Sequence, residues 1–277
     1  MNKKAVYGIL LVLIVPVTAY FVLKGFTDRD VVLPRHFIPD STVTVTKDGK
    51  QYTDTIWHTI ADFNLQNHLG QQVSWDDMEG KVVVASFFFT HCPTICPTLM
   101  TNMNALQSGI KSSERVGNRE AKFLQFLSFT VDPERDSVAQ LKKWADRFQV
   151  NPHNWWLLTG DKKEIYDLAI KEMKVPAEDG GAVDSNFMHT DVFVLIDKYR
   201  NIRGYYHTVV PDLERGGYTA DTASLNRLAQ DIIFLAYERD PNKKFFLAGK
   251  LGLIAVVFVL AAIGILLLMK IIKKEKK

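Results

Sequence analysis

The sequence predicts an α/β fold in which a mixed β-sheet carries helices on both faces. Three observations predict it: apolar runs typical of buried strands, helical patterns that alternate with them, and a closing pair of strands before a final helix. The predicted strands cover residues 82–89, 123–131, 155–158, 192–196 and 202–206, with helices after Pro97, Ser137 and Asp161 and around residues 225–235.

The predicted helices have local signals at their starts. Ser137 and Gln140 are spaced as a capping box, and Asp161 is a good N-cap residue before Glu164. The final helix is amphipathic, with apolar residues at helical spacing: Leu225, Leu228, Ile232 and Leu235. The alternation of strands and helices is typical of a thioredoxin-like domain, which we expect over residues 60–240.

An extension precedes this domain. Residues 25–59 are predicted to form an irregular linker followed by a β-hairpin, because alternating threonine and valine at 42–46 precede an Asp48-Gly49 turn. A second small hairpin is predicted around Gly70.

Two uncharged apolar segments lie near the ends of the chain. Residues 5–23 and 251–269 are each long enough to cross a bilayer, so we predict an N-terminal anchor at 1–24, a second transmembrane helix at 245–270 and a basic tail at 271–277. Lysines at the outer end of each segment place both termini in the cytoplasm. The first segment could alternatively be a signal peptide, but no clean cleavage site follows it.

The charge distribution limits what the protein can bind, and the targeting signals indicate where it is located. The net charge of the chain is +3, and because the lysine-rich ends contribute +6 in total, the central part carries −3. An acidic domain without a basic patch excludes a nucleic-acid-binding role. Because no arginine-rich transit peptide is present, we expect the bacterial inner membrane, with the main domain on the extracytoplasmic side.

The two cysteines of the chain, Cys92 and Cys96, follow a predicted strand and begin a predicted helix. Backbone amides at the start of a helix favour thiolate, and thiolates either exchange disulfides or bind soft metals such as Cu(I). The C-x-x-x-C spacing differs from the C-x-x-C of thioredoxin-like redox enzymes and places both sulfurs on one helix face. Two buried, inert cysteines are the remaining alternative.

A metal held by two thiolates needs a further donor, and imidazole suits copper. His189 is the best placed of seven histidines, because it follows a Gly180-Gly181 loop and comes just before a strand that should begin near the cysteine turn. We interpret His91, next to Cys92, as a turn residue, and Asp132 as a residue that ends a strand.

Three motifs resemble the Sco/SenC family of membrane-tethered copper chaperones: residues 89–97 around the cysteines, residues 128–136, and residues 187–190 around His189. The resemblance covers about residues 60–237. It implies a thioredoxin-like fold and one copper ion, Cu(I) or Cu(II), bound by Cys92, Cys96 and His189. It also implies a partner, the copper-receiving subunit of a haem-copper oxidase, whose binuclear copper centre the protein helps to assemble.

The chain departs from the family pattern. Thr94 stands where the family often has an acidic residue, and the hairpin and second span are additions to the usual single-anchor plan. The same cysteines also allow a thiol-disulfide reductase acting on oxidase subunit cysteines. A peroxiredoxin-like peroxidase is a weaker alternative, because no arginine lies near Cys92 in the sequence.

Overall fold

The computed structural model describes residues 38–47, 50–110, 122–175, 190–214 and 216–238. The predicted transmembrane segments at 1–24 and 245–270 and the basic tail at 271–277 lie outside these ranges. Among the helices that are described, none combines the length and apolarity that crossing a bilayer requires.

The described residues form eleven strands and four α-helices. The strands are β1 (Pro39–Lys47), β2 (Lys50–Trp57), β3 (Leu65–Asn67), β4 (Gln72–Val73), β5 (Val82–Phe88), β6 (Leu124–Thr130), β7 (Trp155–Thr159), β8 (Val192–Ile196), β9 (Ile202–His207), β10 (Val209–Pro211) and β11 (Tyr218–Ala220). The helices are α1 (Cys96–Gly109), α2 (Val138–Arg147), α3 (Lys162–Asp167) and α4 (Thr222–Tyr237). A 3₁₀ turn, Trp75–Met78, precedes β5.

The main sheet has seven strands in the order β4-β3-β7-β6-β5-β8-β9. Strands β5, β6 and β7 are parallel, and every residue of β5 and β6 is buried, as expected for parallel strands covered on both faces. Strand β8 is antiparallel to β5, with Ala85 opposite Val194 and Val83 opposite Ile196. The start of β8 therefore lies beside the carboxyl end of β5.

The predicted mixed α/β sheet and its helix starts are confirmed. The Ser137 hydroxyl accepts from the Gln140 amide at 3.4 Å, and the Asp161 carboxylate accepts from the Glu164 amide at 2.9 Å. The helix predicted from Asp161 changes character near its end: a π-helical turn, Leu168–Glu172, follows α3. The Met173 amide bonds the Leu168 carbonyl, five residues earlier, so α-helical spacing ends there.

Both predicted hairpins are confirmed, as the antiparallel pairs β1–β2 and β3–β4. In the first, the register places four exposed apolar side chains on one face, and threonines occupy the other. The apolar set is Val43, Val45, Tyr52 and Ile56.

Candidate metal centre

The two cysteines lie where β5 turns into α1. Strand β5 ends at Phe88, the Cys92 amide donates to the Phe89 carbonyl at 3.3 Å, and α1 begins at Cys96 with a proline in its first turn. Both cysteines are free and almost fully buried, with 4% of Cys92 and 3% of Cys96 exposed. The sequence prediction of a strand, tight turn and helix around the pair is confirmed. The prediction that both sulfurs share one helix face is wrong, because Cys92 lies in the turn before α1 and only Cys96 belongs to the helix.

The Cys92 sulfur accepts hydrogen bonds that favour its thiolate. The Cys96 thiol donates to it and is the largest cause that lowers the pKa of Cys92 to about 5. Burial opposes this shift, and the Cys96 amide, 3.4 Å from the Cys92 sulfur, adds to it. The Thr94 hydroxyl lies 3.9 Å from the same sulfur. Backbone amides therefore lower the pKa of Cys92, as expected, but the Cys96 thiol lowers it more.

The pKa of the Cys96 thiol is shifted in the opposite direction. Its pKa is raised, first because its proton is shared with Cys92, then because it is buried and lies near the Cys92 charge. At neutral pH the reduced pair therefore carries one thiolate, at Cys92, and one thiol, at Cys96. Such a pair provides a nucleophile and two soft sulfur donors.

A fully buried carboxylate, Asp136, holds the cysteine turn in place; its exposed fraction is 0%. It accepts from the Thr90 amide at 3.0 Å and from the Thr90 hydroxyl at 2.5 Å. It also accepts from the Thr130 hydroxyl, at the end of β6, at 2.5 Å. Asp136 thus ties the turn that precedes Cys92 to the neighbouring parallel strand.

Asp132 and His91 have local roles in the same region. The Asp132 carbonyl accepts from the amides of Arg135 and Asp136 at 3.1 and 2.9 Å, and its carboxylate pairs with Arg135. The half-exposed ring of His91 lies 3.1 Å from the Thr90 hydroxyl through Nδ1. Both residues serve the turns in which they lie, as we interpreted them from the sequence.

His189, the predicted third ligand, lies outside the described residues. Its assignment to the metal site stays a prediction, as do the ligand roles of the two cysteines. Within the described part of the chain, no group of three or more His, Cys, Asp and Glu side chains is placed to hold a metal ion. The described part of the candidate centre is therefore the sulfur pair, and β8 begins at the same end of the sheet.

Asp136 was not assigned a role from the sequence, although a signal was present. Thr90 and Thr130 each stand at the carboxyl end of an apolar strand, and an acidic run follows the second strand. Because the carboxyl ends of parallel strands share one sheet edge, these polar groups meet. The contact between Asp136 and the two threonines can be predicted only when β5 and β6 are known to be neighbouring strands.

Fold and site together define a thioredoxin-like protein with a buried C-x-x-x-C pair at the strand-to-helix turn. A family model described as SCO1/SenC matches residues 53–215, and the chain belongs to this family. The SCO1 protein homolog of Bacillus subtilis is 34% identical over 149 residues, which are 53% of this chain and 73% of the relative. A mitochondrial SCO2 homolog of Danio rerio is 28% identical over 55% of this chain and 53% of its own length.

Two of the solved structures that are similar to this chain, each 27% identical to it, have the same fold. A SCO1/SenC family lipoprotein from Bacillus anthracis is 27% identical with a TM-score of 0.51, covering 65% of this chain and 95% of its own. BsSco, described as a Sco family cytochrome c oxidase assembly protein with a disulfide switch, is 27% identical with a TM-score of 0.52, covering 66% and 95%. Bradyrhizobium japonicum ScoI, solved with copper bound, is 24% identical with a TM-score of 0.47 over 64% of this chain and 99% of its own.

Proposed function

We propose that this protein is a membrane-anchored copper-binding assembly factor for the binuclear copper centre of a haem-copper oxidase. The observation that carries the proposal is the buried pair of free cysteines at the strand-to-helix turn, in which the Cys96 amide donates to the Cys92 sulfur at 3.4 Å. Membership of the SCO1/SenC family supports it.

The donor set fits copper. Cys92 and Cys96 supply two soft sulfur donors, and His189 completes the set with an imidazole. The antiparallel register of β5 and β8 supports His189, because β8 begins beside the strand that leads to the cysteines. Because Cys96 is protonated in the free protein, copper binding as a bis-thiolate must release its proton.

The proposal also includes a membrane anchor and a partner that receives the copper. The apolar segments at 1–24 and 245–270 span the bacterial inner membrane, and both termini are cytoplasmic. The copper domain then lies outside the cytoplasm and passes its copper to the copper-receiving subunit of the oxidase. The acidic central part of the chain supports no role with nucleic acid.

A competition titration tests the copper site. The reduced full chain in detergent should bind one Cu(I) against a colorimetric chelator, and His189→Ala should weaken the affinity at least tenfold with an unchanged circular dichroism spectrum. His153→Ala, in an exposed loop, is the matched control and should keep the wild-type affinity. Equal affinities for both variants would reject His189 as a ligand.

A thiol-disulfide reductase is the second candidate, because a cysteine with a pKa of about 5 is a nucleophile at neutral pH. The Cys92 thiolate would attack a disulfide of an oxidase subunit and release one of its sulfurs as a thiolate. Cys96 would then lose its proton and displace the second client sulfur, forming a Cys92–Cys96 disulfide. Stoichiometric reduction of a client disulfide by a reduced protein that retains no copper would favour this function.

A further inference from the structure

The turn at residues 197–201 lies at the end of the sheet opposite the cysteines. Strand β8 runs antiparallel to β5, and Ile196, just before this turn, pairs with Val83 near the start of β5. The cysteine turn follows the other end of β5. Seven strand residues separate the two ends by about 20 Å. We name the end that carries residues 197–201 the distal end.

Both chain connections to the predicted spans leave the domain at the distal end. On the N-terminal side, the Ile38 carbonyl accepts from the His58 amide at 2.9 Å, and two residues later the Ile60 amide donates to the Arg200 carbonyl at 3.1 Å. Ile38 is thereby held near the turn.

On the C-terminal side, Glu238 is fixed to the same turn. Its carboxylate accepts from both terminal nitrogens of Arg203, at 2.6 and 2.9 Å, and its carbonyl accepts from the Lys198 ammonium at 2.9 Å. Arg203 also donates to Asp197 at 3.0 Å. The buried Arg203 side chain therefore holds Glu238, the residue that follows α4, at the turn.

The length of the connecting segments limits how far the distal end can lie from the bilayer. Six residues, 239–244, separate Glu238 from the second predicted span, and thirteen, 25–37, separate the first span from Ile38. The shorter connection reaches about 25 Å at full extension. If the chain is anchored as proposed, the distal end therefore lies within about 25 Å of the second predicted span.

The exposed side chains of this end have the chemistry of a membrane interface. Phe234 and Tyr237, in the last turns of α4, are exposed, the latter by 69%, and Tyr199 is exposed in the turn. Basic Lys198 and Arg200 flank Tyr199. Aromatic side chains mixed with lysine and arginine are enriched where proteins meet lipid headgroups.

An apolar groove adjoins this patch. Tyr237 and the exposed Ile233 line a groove of about 610 Å³ between α1 and α4, so the apolar surface extends beyond the individual side chains. Contiguous apolar surface of this kind marks an interaction site more often than scattered single residues do.

We propose that the distal end rests on the bilayer surface, with Tyr199, Phe234 and Tyr237 at headgroup depth, so that the cysteine turn points away from the membrane. This proposal rests on the anchoring part of the proposed function and adds an orientation to it. The copper site would then meet its partner at a height of at least about 20 Å above the lipid, the length of β5.

Spin labels on the full chain test the orientation. In a Cys92→Ser/Cys96→Ser background whose near-ultraviolet circular dichroism is native, single cysteines replace Tyr199, Tyr237 or Leu213, and the chain is reconstituted in nanodiscs of phosphatidylethanolamine and phosphatidylglycerol. Leu213 is the matched control, because it is 95% exposed and lies on the cysteine side of the domain. It lies between β10 and β11, and the Tyr218 carbonyl of β11 accepts from the Thr98 hydroxyl in the first turn of α1.

Power saturation with oxygen and a nickel chelate reads out the depth of each label. We expect oxygen to be preferred at positions 199 and 237 and the chelate at position 213. Equal chelate access at all three positions would overturn the orientation, as would protection of 199 and 237 from both reagents, which indicates a protein contact. A chain that alkaline washing strips from lipid would refute the anchoring as well, whereas a retained chain with chelate-accessible labels refutes the orientation alone.

Discussion

Removing the Asp136 carboxylate should destabilise the domain strongly. Asp136→Ala deprives three buried donors of their acceptor: the Thr90 amide, the Thr90 hydroxyl and the Thr130 hydroxyl. An unsatisfied buried donor costs about 1–3 kcal/mol, and the two hydroxyls can rotate towards other acceptors, so we expect a total loss of about 3–5 kcal/mol. In a domain of this size that corresponds to a melting temperature lower by more than about 6 °C.

Urea unfolding of the full chain in detergent measures this loss. All five tryptophans lie between residues 57 and 156, so their fluorescence reports on the thioredoxin-like domain and its hairpin. Asp136→Asn keeps the shape of the side chain and should cost less, about 1–3 kcal/mol.

Asp146→Asn is the matched control, because this carboxylate is exposed on α2 and pairs with the half-exposed Lys142 at the surface. It should change the free energy of unfolding by less than about 0.5 kcal/mol. If Asp136→Ala and Asp146→Asn destabilise equally, the buried carboxylate does not hold the cysteine turn and the reasoning fails.

Three further predictions concern the sulfur pair and the distal end. Cys96→Ala removes the thiol donor and should raise the pKa of Cys92 from about 5 to about 6–7. Thiolate absorbance measured against pH gives this pKa. An unchanged value would mean that the backbone amides cause the shift. Binding of Cu(I) between pH 7 and 8 should release about one proton, the one on Cys96. Calorimetry in two buffers of different ionisation enthalpy measures this number, and a release of two protons would mean that both sulfurs are protonated in the free protein. Arg203→Ala should cost about 3–5 kcal/mol because two carboxylates lose their buried partner, whereas the exposed Arg227→Ala should cost little; equal urea midpoints would contradict this.

Much of the fold was predictable because burial and capping leave direct sequence signals. Strands β5 and β6 are covered on both faces, so they read as unbroken apolar runs, and Ser137 and Asp161 mark helix starts by the chemistry of their side chains. The π-helical turn after α3 was not predictable, because it is defined by the spacing of backbone hydrogen bonds, as between the Met173 amide and the Leu168 carbonyl, and not by a pattern of side chains.

The position of the cysteine pair between a strand and a helix was predictable, but its electrostatics were not. The spacing of Cys92 and Cys96 predicts that the two sulfurs lie close together, but it does not predict that Cys92 stays in the turn before α1. Which sulfur carries the charge depends on the hydrogen bond between them. The role of Asp136 depends on a contact across two strands that lie 36 or more residues apart in sequence, between residues 82–88 and 124–130. Local patterns carry no information on such a pairing.

X-ray absorption at the copper edge of the reduced, Cu(I)-loaded full chain tests the central claim most directly. We predict two sulfur neighbours and one nitrogen neighbour in the wild type, with the nitrogen lost and both sulfurs kept in His189→Ala. A wild-type site without nitrogen, or an unchanged nitrogen in His189→Ala, would contradict the three-donor copper centre.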